Sequence, residues 1–171
     1  MEPRPARERP HGGRGHAYRY VKGRKQVLWR VEGWYAFRVL LSDDGRYLVR
    51  LGNWPRGQRP SESHLAVAFY DNGELLAEYS TRALIEDDSK VRPSSSHYTY
   101  RAHDGELSLV VGDTEKGELP LSFEFSTIDG IRYRFDVTTG EIVARSPPAS
   151  EESAGAESPA SSDLTPPERE G

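Results

Sequence analysis

The chain has 171 residues, a hydrophobic share of 35% and a mean hydropathy of −0.75, which suits one modest core flanked by chain too polar to bury. It has no cysteine, so disulfides and thiolate metal sites are excluded, and no apolar run approaches the ~18 residues of a membrane helix. Net charge is −4 but uneven: residues 1–17 carry four Arg and two Glu, residues 146–171 carry five Glu, one Asp and one Arg, and 18–145 are left at −1, a body with no strong nucleic-acid signal.

Residues 1–16 offer nothing to bury and read as a disordered basic arm. They hold no apolar h-region, so no secretory signal is expected. The default compartment is then cytoplasmic, with export open to a chain that starts further upstream. Apolar residues concentrate in 17–145, read as a single β-domain. Trp29 alternates with Val27 and Val31 and belongs to a core, whereas Trp34 and Trp54 fall at or beyond strand ends.

"LLSDDGRYLVRLG" sets two acids and a glycine between apolar alternations. With Asp43-Asp44-Gly45 as a three-residue loop, Leu41 faces Tyr47, Val39 faces Val49 and Phe37 faces Leu51. The glycine supplies the left-handed third position, and the acids bond nearby amides. The same rule applied to Asp71-Asn72-Gly73 pairs Phe69 with Leu75, Val67 with Ala77 and Leu65 with Tyr79. Applied to Ile128-Asp129-Gly130, it pairs Phe125 with Tyr133 and Phe123 with Phe135. His103-Asp104-Gly105 and Thr138-Thr139-Gly140 mark further turns. "STRALIEDDS" predicts one helical turn capped by Ser80 or Thr81. Residues 146–171, rich in Pro, Ser and Glu, read as a disordered acidic tail.

The period is two almost throughout, in "LAVAFY", "LPLSFEF" and "IRYRFDV". The fold class is therefore all-β: an antiparallel meander of eight to ten strands forming a curved sheet or two packed sheets. The turn glycines at 45, 73, 105 and 130 are spaced more tightly than propeller blades of about 40–45 residues, so a closed propeller does not fit. "LSDDGRYLVRLG" nevertheless resembles the strand-turn-strand of TolB-type propeller blades, with Asp43 where those have proline. "VAFYDNGELLAEYS" and "GIRYRFDVTTGEIV" resemble a looser pattern found in small bacterial β-rich proteins, often exported. The resemblance implies a blade-like sheet that binds or scaffolds, and it carries no catalytic residues.

Candidate chemistry is sparse. Asp43 and Asp44 lack the alternating acids and distal Glu of a calcium loop. His11, His16, His64, His97 and His103 are the histidines, and a strand would hold His97 and His103 about 20 Å apart, too far for one metal. Ser96 and His97, as strand neighbours, are expected to face apart. A hydrolase or carbohydrate-acting enzyme would have to use the Glu86–His97 region, with Glu86, Asp87 or Asp88 as its carboxylates. Single "GGRG" at 12–15 is not an RNA-binding repeat. The aromatics say more. Trp54-Pro55-Arg56 opens an irregular loop that reaches Ser63, and such loops on a rigid sheet carry contacts. Trp54 either meets a partner or closes one end of the core, and the second arrangement is favoured. The leading functional expectation is a non-enzymatic binding or scaffold domain without cofactor. Its partner would be a protein or cell-envelope component, met by Trp54, Arg56 and Trp34.

Overall fold

The structure, a computed structural model, describes residues 12–102 and 107–147. The turn at His103-Asp104-Gly105, His11, and most of the arm and tail lie outside the described residues. Among those described, the strands are β1 (Arg14–Val21), β2 (Arg24–Glu32), β3 (Val39–Leu41), β4 (Tyr47–Leu51), β5 (Leu65–Asp71) and β6 (Glu74–Ser80), then β7 (Arg92–Pro93), β8 (Tyr98–Thr99), β9 (Leu109–Val111), β10 (Leu121–Ser126), β11 (Arg132–Asp136) and β12 (Ile142–Ser146). One helical turn, α1 (Thr81–Leu84), follows β6, with Ser80 Oγ accepting the Ala83 N–H as its cap. β1 begins inside the stretch that the sequence assigns to the arm.

The described strands pair antiparallel with chain neighbours, as two four-stranded meanders, β3-β4-β5-β6 and β9-β10-β11-β12, and two hairpins, β1-β2 and β7-β8, and isolated bridges join Arg56 to His97 and Arg101 to Thr127. The main core lies between the two meanders. Val49, Val67, Phe69 and Tyr79 of the first meet Leu121, Phe123, Phe125, Tyr133 and Phe135 of the second. Aromatic contacts join the sheets, with Phe69 and Phe135 ring centroids 5.0 Å apart. On the far face of the first meander a second cluster forms. Ala17, Trp29 and Val31 of β1-β2 lie on Leu48, Leu65, Ala68 and Tyr70. The first meander is thus the middle of three layers, and two packed sheets rather than one curved sheet describe the architecture.

The register of 121–136 follows the sequence reading: Phe123 faces Phe135 and Phe125 faces Tyr133 across a loop of Ile128-Asp129-Gly130, with Gly130 at φ 86°. The other two hairpins differ. Across 42–47, Leu41 faces Leu48, Leu40 faces Val49 and Val39 faces Arg50, so the loop has four residues, Asp43 to Arg46. Across 71–74, Asp71 faces Glu74 and Tyr70 faces Leu75 around Asn72-Gly73. Both turn residues have positive φ, 48° and 84°, as a two-residue type I′ turn demands. A bulge between Phe69 and Tyr70 then sets Phe69 opposite Ala77. The physical reason is shared. β4 and β5 are covered on both faces, so matching apolar residues cannot choose between registers one residue apart. Of the two acids in the first loop, Asp44 has a structural role. Asp44 Oδ1 accepts the Arg46 N–H at 3.0 Å and the Ser42 hydroxyl at 2.5 Å, which hold its carboxyl below the usual carboxylate range.

Candidate functional site

Trp54 stands out first by exposure. It keeps 78% of its surface open, and Phe37, which the sequence pairs inward with Leu51, keeps 74%. Leu51 instead donates its N–H to Arg38 O, 3.2 Å away, which leaves Phe37 beyond the end of β3. Trp54 therefore does not close the core, and the favoured arrangement is corrected. A groove of about 590 Å³ runs beside it, lined by Phe37, Arg38, Leu51, Gly52, Asn53, Trp54, Thr99, Tyr100 and Arg101. Among the described residues its lining is mostly apolar, with two guanidinium groups and no carboxylate.

The walls of this groove are tied together. The Phe37 N–H donates to Asn53 Oδ1 at 3.1 Å, and Asn53 Nδ2 donates to Tyr35 O at 3.0 Å. One amide side chain thus clamps the 35–37 segment onto the 52–54 segment. Tyr35 and Phe37 meet edge to face at 5.3 Å. Beneath, Tyr100 Oη donates to Gly52 O at 2.8 Å, and the Gly52 N–H donates to Ala66 O at 2.9 Å. A Cβ at position 52 would lie 1.8 Å from Leu65 O, so only glycine fits this approach. Pro55 is buried, its carbonyl accepts the Tyr98 N–H at 3.2 Å, and the Gly57 N–H donates to Ser96 O at 2.9 Å. Trp54 is thus an exposed ring on a rigid footing.

The other two sequence-selected residues go elsewhere. Trp34 is half-buried against the second cluster, 5.6 Å from the Tyr70 ring, with the Arg50 guanidinium 4.4 Å over its own ring. It lines a separate cavity of about 360 Å³ that also touches Gly15, Trp29, Val39 and Leu41. Arg56 is exposed on the Trp54 loop but does not line the groove, where Arg38 and Arg101 supply the positive charge. Sequence reasoning missed Phe37, Arg38 and Arg101. The aromatic density of "WYAF" was the available sign for Phe37, while Arg101 comes to the groove through long-range packing.

The Glu86–His97 region shows acids engaged in local structure. Glu86 pairs with Arg145, and Asp88 binds Arg82 at 2.7 Å. Asp87 Oδ1 accepts the Ser89 hydroxyl and N–H, which lowers its pKa. Ser96 and His97, expected to face apart, do meet: Oγ and Nδ1 are 2.7 Å apart, because the chain there is irregular rather than a strand. The pair sits on the surface, and no carboxylate among the described residues bonds the imidazole as an orienter. Among the described residues, no group of three or more His, Asp or Glu could hold a metal ion. No described helix is long and apolar enough to cross a membrane. Comparison with protein-family models, with curated proteins and with solved structures finds no match in any of the three.

Proposed function

We propose that this chain is a non-enzymatic binding domain that meets a protein or cell-envelope component at the Trp54 groove. The observation that carries the reading is the pair of large aromatic rings, Trp54 and Phe37, held open to solvent on a clamped backbone. Exposing both rings forfeits burial worth about 1.5–3 kcal/mol each. A rigid aromatic beside arginine is the commonest anchor chemistry of protein interfaces. Arg38 and Arg101 favour a partner segment that offers a carboxylate next to an apolar side chain.

Panning displayed random peptides on the full chain tests this. The expected winners carry an apolar residue near Asp or Glu, and their binding falls at least about tenfold on Trp54→Ala, the loss of one anchor of ~1.4 kcal/mol or more. Winners that bind Trp54→Ala and Arg101→Glu as tightly as the parent would remove the groove from the account.

A further inference from the structure

The near-neutral charge of the body conceals a division. Residues 14–32, the β1-β2 hairpin, hold six Arg or Lys against a single Glu, whereas residues 33–145 hold thirteen against eighteen acids. The hairpin is thus +5 and the rest of the body −5. All six cationic side chains of the hairpin are exposed.

The base of the hairpin is anchored. Trp29 and Val31 are buried in the second cluster, and Trp29 Nε1–H donates to Gly45 O at 2.7 Å. Its distal half is not covered: every residue from 18 to 27 is exposed, on both faces of the two-stranded ribbon. The tip turn, Lys22-Gly23, has both residues at positive φ, 50° and 74°, and presents Lys22 at the far end.

On one face of β1 the rings of His16, Tyr18 and Tyr20 form a ladder, with centroids 5.6 and 5.8 Å apart. Lys25 crosses it from β2, its Nζ 4.1 Å over the Tyr18 ring and 2.8 Å from His16 Nε2. An ammonium can only donate, so His16 Nε2 accepts. Tyr20 closes the ladder with 68% of its surface open. The row of rings, two residues apart, is edged by Arg and Lys whose one carboxylate partner among the described residues is Glu32, on Arg14 at the base.

We propose that this face of the β1-β2 hairpin binds single-stranded nucleic acid. Bases stack on the Tyr20 end of the ladder, and phosphates meet Lys22 at the tip with Lys25 and Arg30, which oppose Tyr20 and His16 on the same face. Charge complementarity selects a polyanion, and the ring ladder selects one with exposed π-faces. Duplex lacks free base faces, and an anionic lipid surface would not need an ordered ladder.

Fluorescence anisotropy of labelled oligo-dT and oligo-rU of about 12 nucleotides, within the ~4–16-nucleotide span of single-strand sites, tests this on the full chain. Binding of either strand should weaken from about 50 to 200 mM salt, and Lys25→Gln, on the ladder face, should flatten the logarithmic salt slope by about 0.7. Tyr20→Ala should weaken binding ~5- to 150-fold, the loss of one stacked base, while Tyr20→Phe retains it. Because Tyr20 lies outside both cores, an unchanged melting temperature certifies each variant. Preference between the two strands tells RNA from DNA. No anisotropy change at ~100 μM protein, equal affinity for duplex or anionic vesicles, or full binding by Tyr20→Ala would each overturn the proposal.

Discussion

Asp129 offers the sharpest test of how the second meander is fastened to the chain before it. It sits in the 128–130 loop, 8% exposed. Its Oδ2 accepts the N–H groups of Glu86 at 2.8 Å and Asp87 at 3.2 Å, and its Oδ1 accepts the Thr127 hydroxyl at 2.5 Å. Asp129→Ala removes all three bonds and leaves two partly buried amides without acceptors. With about 1.5–3 kcal/mol for a bond to a charged group, and some relaxation of the loop, the net loss is roughly 3–4 kcal/mol. In a domain of this size that is a fall of roughly 10–15 °C in melting temperature. Asp129→Asn behaves differently. Its carbonyl keeps the two amides, and its NH₂ can donate to Thr127 Oγ once that hydroxyl turns its proton to Ile131 O, 3.1 Å away. The expected cost is about 1 kcal/mol, the charge component alone. Urea unfolding of both variants measures it. Alanine within ~0.5 kcal/mol of the parent, or asparagine as damaging as alanine, would refute the fastening role.

Three shorter predictions follow from the same geometry. Gly45, at φ 75°, has Leu28 Cδ1 2.6 Å from where a Cβ would sit, so Gly45→Val should cost about 1–3 kcal/mol in urea unfolding, and a neutral result would mean the 43–46 loop is misread. Asp71 receives two hydrogen bonds from Arg46, at 2.8 and 2.7 Å, and its carboxyl pKa is lowered. A depressed carboxylate stabilises the fold fully above the unfolded value of ~3.9 and loses that stabilisation as pH falls through its folded pKa. Melting temperature should therefore drop more steeply below about pH 4 in the parent than in Asp71→Asn, and parallel curves would contradict the pairing. Trp54→Ala should leave the melting temperature unchanged to within the ~0.5 kcal/mol typical of surface sites, since the ring covers no core, and a large fall would return Trp54 to the core.

What the sequence could reveal depended on whether one face of a strand is wet. β11 alternates Tyr133 and Phe135 against Arg132 and Arg134, so its register and its partner β10 were legible. β5 is buried from Leu65 to Tyr70, and its alternation of large and small residues marks two dry faces rather than one. Register there is set by Asn72-Gly73 and a bulge, neither of which face matching detects. The cap of α1 was legible because Ser80 bonds locally. Trp54 was visible as a loop aromatic, but its exposure was not, because that depends on Asn53 and on Tyr100 from a distant segment. The hairpin charge was averaged away by summing over a body whose acids lie elsewhere.

The most direct measurement on the Trp54 groove is tryptophan emission of the full chain titrated with a peptide selected on it. Trp29 is 8% exposed and Trp34 half-buried, so Trp54 is the ring free to change environment. Docking at the groove predicts a blue shift that saturates with binding and is absent in Trp54→Phe, which still binds. The same shift in Trp54→Phe, or undiminished binding by Trp54→Ala, would contradict the account and move the partner's site away from this groove.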